Sequence, residues 1–270
     1  MYRPADRDGH AADRDGHAAD RDGHAADRDG TAAWSCGGMR RIMEYKEPQM
    51  QSTINNPVNH LYTLLTNRPG RVMVGIAGPP GSGKSTLALQ LANRVNQLHG
   101  SHTAVALGMD GFHLSKAQLR QMPDPDLAFA RRGAPWTFDA AGFVARLHDL
   151  RRADAHVRWP DFAHEVGDPV EDAIAVDRAV KMVIVEGLYL LHDHDGWQEA
   201  LPVFDEVWYL NTPFDVAIER LTQRHMRAWN FSRAQAEHRI AQSDGLNAEL
   251  VRQSHVRAHY LVDSLPDASV

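Results

Sequence analysis

The run Gly78-Pro-Pro-Gly81-Ser82-Gly83-Lys84-Ser85-Thr86 has the spacing of a complete phosphate-binding loop, Gly-x-x-x-x-Gly-Lys-Ser. Glycines so placed let successive backbone N–H groups turn inward around a β-phosphate. Lys84 is positioned to reach β and γ oxygens, and Ser85 to offer its hydroxyl to Mg2+. A helix beginning here adds a favourable dipole at its N-terminus. The chemistry implied is binding of a nucleoside triphosphate together with Mg2+.

Phosphoryl transfer asks for more. A divalent ion must be held against the phosphates, some group must receive or orient the acceptor proton, and positive charge must meet the group in flight. Two acids fall where such parts belong: Asp110 after the apolar run 103–108, and Glu186 after the run 181–185. If both runs are parallel strands beside the one that precedes the loop, both acids reach the sheet edge that carries Lys84. Arg131-Arg132 is a guanidinium pair suited to an acidic or phosphorylated acceptor. Trp136 and Trp159 are candidates for a pocket wall, against the commoner use of tryptophan in packing. His192-x-His194 lacks further ligands at metal-site spacing.

These groups need a scaffold, and the apolar pattern supplies one. Val72, Val74 and Ile76 read as a buried strand; Leu87, Leu89, Leu91 and Ala92 continue on a helix closing near Gly100. Val58, Leu61, Leu64 and Leu65 form a helical stripe ahead of Pro69-Gly70. Further strands are expected at 103–108, 181–185, 206–210 and 260–262. Helices are expected after Asp139 as N-cap, from about Pro213, and after the Ser232/Gln235 capping box. The passage with Pro123, Pro125 and Pro135 reads as too broken to be core. The stretch His225, Arg227, Trp229 reads as the place where a helix gives way to a lid. Strands alternating with helices predict an α/β fold with a parallel five-stranded sheet, helices on both faces and ligands at the strand C-terminal ends.

The chain has 270 residues, 43% hydrophobic and 24% charged, which suits one soluble α/β domain. The first 33 residues hold eight Asp and five Arg in a heptapeptide repeat, Ala-Asp-Arg-Asp-Gly-His-Ala, whose only apolar side chains are alanines. Such a segment cannot offset its ordering entropy, so residues 1–45 are expected to be a disordered tail and 46–270 the folded domain. No unit of the repeat supplies the ligand set of a calcium loop. The formal charge of −6 gives no basic surface for nucleic acid. No run approaches 18 apolar residues, so no membrane partner is expected, and the single Cys36 fits a cytoplasmic setting. The oligomeric state is left open, a homodimer included.

Met109-Asp-Gly-Phe-His113, Arg132-Gly-Ala-Pro135 with Phe138-Asp139, Pro160-x-Phe-x-His164 and Val185-Glu-Gly-Leu188 follow the loop in that order. Over roughly residues 55–265 this series resembles the P-loop kinases grouped with pantothenate kinase, uridine kinase and phosphoribulokinase, in the bacterial nucleoside/nucleotide kinase-like branch. The resemblance implies a P-loop NTPase fold with a helical lid region. It also implies ATP and Mg2+ as cofactors, and transfer of the γ-phosphate to a hydroxyl of a small polar metabolite. It implies that Asp110 is the general base and that Glu186 belongs, with Ser85, to the Mg2+ shell. His164, with Arg132, would meet the acceptor. Arg224 would be the lid arginine, with Arg220 one turn earlier able to share the role. Asn247 and Arg257 would border the adenine. Phe162-Ala163 replace the Tyr-Ser usual in pantothenate enzymes, and Met109-Asp110-Gly111-Phe112 differs from the usual uridine kinase sequence; both point away from those substrates. The rival reading is a regulatory P-loop NTPase with no metabolite acceptor. The chain carries neither an Asn-Lys-x-Asp guanine-recognition sequence nor a Leu-Ser-Gly-Gly-Gln signature.

Overall fold

The computed structural model describes residues 51–163 and 165–263. The expected tail, residues 1–45, lies outside them, and so does His164. Helix α1 (Pro57–Asn67) is capped by the Asn56 side chain and leads into strand β1 (Val72–Ala77), buried along its whole length. Strand β1 is two-sided. Val72, Val74 and Ile76 pack with Leu61 of α1 and with Leu87, Leu91 and Val95 of helix α2 (Lys84–His99). Met73 and Ala77 face the other layer, where Phe143 and Leu147 of helix α5 (Ala140–Arg152) lie. A strand covered on both faces must be apolar at every position, which is why its sequence does not alternate.

Strands β2 (Ala104–Gly108), β5 (Met182–Gly187), β6 (Glu206–Asn211) and β7 (Tyr260–Asp263) complete a five-stranded sheet in the order β2-β5-β1-β6-β7. Every pairing in it is parallel. The order places β5 directly between β1 and β2, with Gly108 opposite Glu186 and Ile76 also opposite Glu186. The expected strands and their parallel arrangement are therefore present.

One expectation fails, and one element was not foreseen. The Pro-rich passage is not excluded from the core: helices α3 (Lys116–Leu119) and α4 (Pro125–Ala130) form there, with Asp124 capping α4 and Pro125 in its first turn. Leu119, Ala128, Ala134 and Pro135 are buried. The passage from 157 to 176 also forms an antiparallel ribbon, β3 (Val157–Ala163) with β4 (Asp168–Val176), which sequence reasoning did not foresee. Pro160 cannot donate to a ladder, and the register shifts between Trp159 and Asp161.

The C-terminal helices are α6 (Phe214–Trp229), α7 (Arg233–Arg239) with the expected Ser232/Gln235 capping box, and α8 (Gly245–Gln253). A π-helical turn, Ile240–Asp244, joins the last two. Helix α6 ends at Trp229, the last residue of the stretch where it was expected to give way, and His225 is still helical. That residue is buried, lies 2.9 Å from Asp244 Oδ2 and stacks on Trp229 at 4.4 Å between ring centroids, so the helix runs on to Trp229.

Candidate active site

Gly83 caps α2 in the left-handed region, φ +94°, and Lys84 and Ser85 are the first helical residues. The loop before them is braced from α6. Gly81, at φ +81°, lies so close to that helix that a Cβ there would sit 2.1 Å from the Ala217 carbonyl oxygen. The carbonyl of Ser82 accepts from Thr212 Oγ1 at 2.9 Å and from Arg220 Nη1 at 3.4 Å. The Ser82 hydroxyl is buried with no protein partner.

Ser85 Oγ donates to Glu186 Oε1 at 2.8 Å, and Lys84 Nζ lies 3.9 Å from Glu186 Oε2. Burial pushes the Glu186 carboxyl above the usual carboxylate range; Lys84 draws it back, Asp110 adds to the push and the Ser85 bond opposes it. Asp110 therefore shares the electrostatic neighbourhood of Glu186, as their strand ends require.

Asp110 sits in a short 3-10 turn, Met109–Phe112, directly after β2. Trp159 and Pro160 of the β3–β4 ribbon hold this turn. Trp159 Nε1 donates to the Gly108 carbonyl at 2.9 Å, and a Cβ on Gly111 would meet the Pro160 carbonyl oxygen at 2.2 Å. Only a glycine lets the β3–β4 ribbon seat so closely on the Asp110 turn. Trp159 is thus core and support for Asp110, not a pocket wall; it packs edge-on against Phe112 and Phe143. Its hint in the sequence was a tryptophan beside a proline.

Arg132 is engaged within the protein. Its Nη1 donates to the Gly167 carbonyl, and its Nη2 to the Leu114 carbonyl and to Asp168 Oδ1, both at 3.0 Å. These bonds tie the ribbon's turn to the chain after Asp110. Arg224 is exposed, whereas Arg220, one turn earlier, lies on the loop carbonyl. Asn247 is buried and accepts from Arg131 Nη2 at 3.4 Å; Arg257 Nη1 donates to the Leu191 carbonyl at 3.1 Å and lies 3.9 Å from Asp193. His192 is buried, and burial pushes its pKa down. Among the described residues no group of three or more His, Cys, Asp or Glu could hold a metal ion.

The buried, ion-paired Glu186 has a consequence for stability. Its folded pKa lies above the unfolded one, so the native state binds more protons, and stability falls as pH rises from the ordinary carboxylate range through the raised value. Glu186→Gln keeps an oxygen for Ser85 and removes this penalty. It is expected to raise the melting temperature of the nucleotide-free protein at neutral pH and to flatten the acid-side slope, while lowering Mg2+-dependent turnover. Thermal melts across pH check this; an unchanged or lower melting temperature contradicts it.

A glycine cradle, its lysine and two strand-end acids at the C-terminal edge of a parallel sheet define a P-loop nucleotide-binding protein. A Schizosaccharomyces pombe protein named "Putative uridine kinase" is 36% identical over 216 residues, 79% of this chain and 92% of that one. An Aspergillus versicolor protein named an ATP-dependent kinase-like protein is 40% identical over 159 residues, 57% of this chain and 92% of its own. The crystal structure titled "putative fructose transport system kinase" from Silicibacter sp. is similar with a TM-score of 0.68 at 30% identity, covering 77% of this chain and 98% of that one. No protein-family model matches the chain. The chain belongs to the uridine kinase-like P-loop kinases, and it is an ATP-dependent small-molecule kinase. No described helix is long and apolar enough to cross a membrane.

Proposed function

We propose that this kinase moves the γ-phosphate of ATP to a hydroxyl of a small polar metabolite, a sugar, nucleoside or pantothenate-like molecule, with Asp110 as the base. The observation that supports it is the convergence of Lys84, Ser85, Glu186 and Asp110 at adjacent ends of β1, β5 and β2. The relatives are named for a nucleoside kinase and a sugar-transport kinase, both of which fit a hydroxyl acceptor.

Asp110 takes the hydroxyl proton as the acceptor oxygen bonds to the γ-phosphorus and the bond from that phosphorus to the β,γ-bridging oxygen breaks, releasing ADP. Lys84 and Arg220 meet the charge on the equatorial and leaving oxygens. Ser85 and Glu186 would hold Mg2+, which supplies further charge neutralisation on the phosphates when bound. Asn247 and Arg257 are proposed to border the adenine, and His164 to meet the acceptor. The folded kinase domain is taken as 46–270, acting in the cytoplasm.

The lid arginine is assigned to Arg220, because it already reaches the loop. Arg220→Met is expected to lower kcat by about 10²–10³, the worth of one positioned donor, and Arg224→Met by a smaller factor. Steady-state kinetics of both variants check the order; the reverse order returns the role to Arg224. The reading as a whole is tested by incubating the protein with ATP, Mg2+ and pooled hydroxylated metabolites and searching for a new phosphate ester by mass. ATP hydrolysis with no ester in any pool would favour a regulatory NTPase.

A further inference from the structure

Arg131 and Arg132 are adjacent in sequence and opposite in circumstance. Arg132 spends its Nη atoms on two carbonyls and on Asp168. Arg131 has one long contact, from Nη2 to the Asn247 amide oxygen at 3.4 Å, and its Nε is buried with no partner. No carboxylate among the described residues lies within ion-pair distance of it. A half-buried guanidinium without a counter-charge is costly, and the fold keeps this one in place from three sides. Tyr189, two residues beyond β5, donates its hydroxyl to the Gly133 carbonyl at 2.5 Å. Arg239 Nη1 donates to the Ala130 carbonyl at 2.7 Å. Asn247 is buried against the same turn.

The turn is thereby fixed beside the end of β5 that carries Glu186. Tyr189 reports the neighbourhood: burial pushes its hydroxyl upward, Arg131 pulls it down, and Asp110 and Asp244 push it up. Arg131 stands on the turn that the Tyr189 hydroxyl ties to the acidic end of β5, beside the centre that holds Asp110, Glu186 and Lys84. A neutral acceptor would leave this guanidinium, with its buried Nε, uncompensated, whereas an anionic one supplies the counter-charge.

We infer that Arg131 binds a carboxylate or phosphate on the acceptor, so that the substrate is an anionic hydroxyl compound, a hydroxy acid or a phosphorylated sugar or nucleoside. This rests on the kinase reading above. A guanidinium with free Nε and Nη edges suits either anion through paired hydrogen bonds.

The test uses acceptors in pairs that differ by one anionic group: glycerol with glycerate, ribose with ribose 5-phosphate, uridine with uridine 5′-monophosphate. The charged member of a pair is expected to be phosphorylated at the lower KM. Arg131→Met is expected to raise that KM by about 10–100-fold with the KM for ATP unchanged, the scale of a charge-assisted contact. Arg131→Lys should recover part of the loss. Because Arg131 makes a single weak contact, both variants should melt near wild type. Preference for the neutral members, or an unchanged acceptor KM in Arg131→Met, overturns the assignment and leaves the kinase reading standing. ATP bound and hydrolysed with no ester on any acceptor overturns both.

Discussion

Asp110→Asn is expected to bind ATP as wild type does and to lose about 10²–10⁴ in turnover, the usual worth of a positioned base. The substitution is nearly isosteric. The turn that carries Asp110 is held through its backbone, by the bond from His113 N to the Asp110 carbonyl at 3.1 Å and by Trp159 on Gly108. It also removes a charge that opposes ionisation of Glu186. Melting temperature should therefore hold or rise while kcat falls. Nucleotide titration, thermal melts and single-turnover kinetics on one preparation separate these outcomes. Wild-type-like turnover would remove Asp110 from the chemistry, and a fall in melting temperature would make the loss structural.

Gly81→Ala carries the largest expected structural cost. The added methyl would stand 2.1 Å from the backbone oxygen of Ala217, at a residue whose φ is +81°. Neither partner is a flexible side-chain end, so the loop or α6 must shift. A left-handed alanine costs about 1–2 kcal/mol and overpacking about 1–3 kcal/mol. Together they predict a melting temperature lower by about 5–15 °C. Movement of the loop also breaks the Thr212 and Arg220 contacts to Ser82, so nucleotide binding should be lost. Gly83→Ala is the comparison: its φ is +94°, but the nearest atom to a Cβ is the Arg220 guanidinium at 3.9 Å. It should pay the backbone strain alone and melt higher than Gly81→Ala. Equal melting temperatures would show that close approach to α6 is not what Gly81 serves.

The parts legible in the sequence were those with local signatures. The loop names itself, and β1 throughout and β5 as far as Val185 are apolar because both faces are covered. The strand-end acids follow once the strands are parallel neighbours. The β3–β4 ribbon was hidden because one strand is interrupted by Pro160 and the other runs Asp168-Pro-Val-Glu-Asp, which reads as loop. With the ribbon unseen, nothing could show that Asp168 would claim Arg132 from 36 residues away. Arg220 and Arg224 lie one turn apart on the same face of α6, so spacing treats them alike. Only the approach of α6 to Gly81 separates them.

The central claim is that the Asp110 carboxylate faces the terminal phosphorus of a nucleotide lying across the Gly78–Ser85 loop. A crystal structure with a non-hydrolysable ATP analogue and Mg2+ measures that directly. With an attacking oxygen about 3–3.5 Å from phosphorus and within about 3 Å of its base, an Asp110 oxygen should lie within roughly 6 Å of the γ-phosphorus. An Asp110 side chain turned away from the nucleotide, with the γ-phosphate facing another group, would contradict the account.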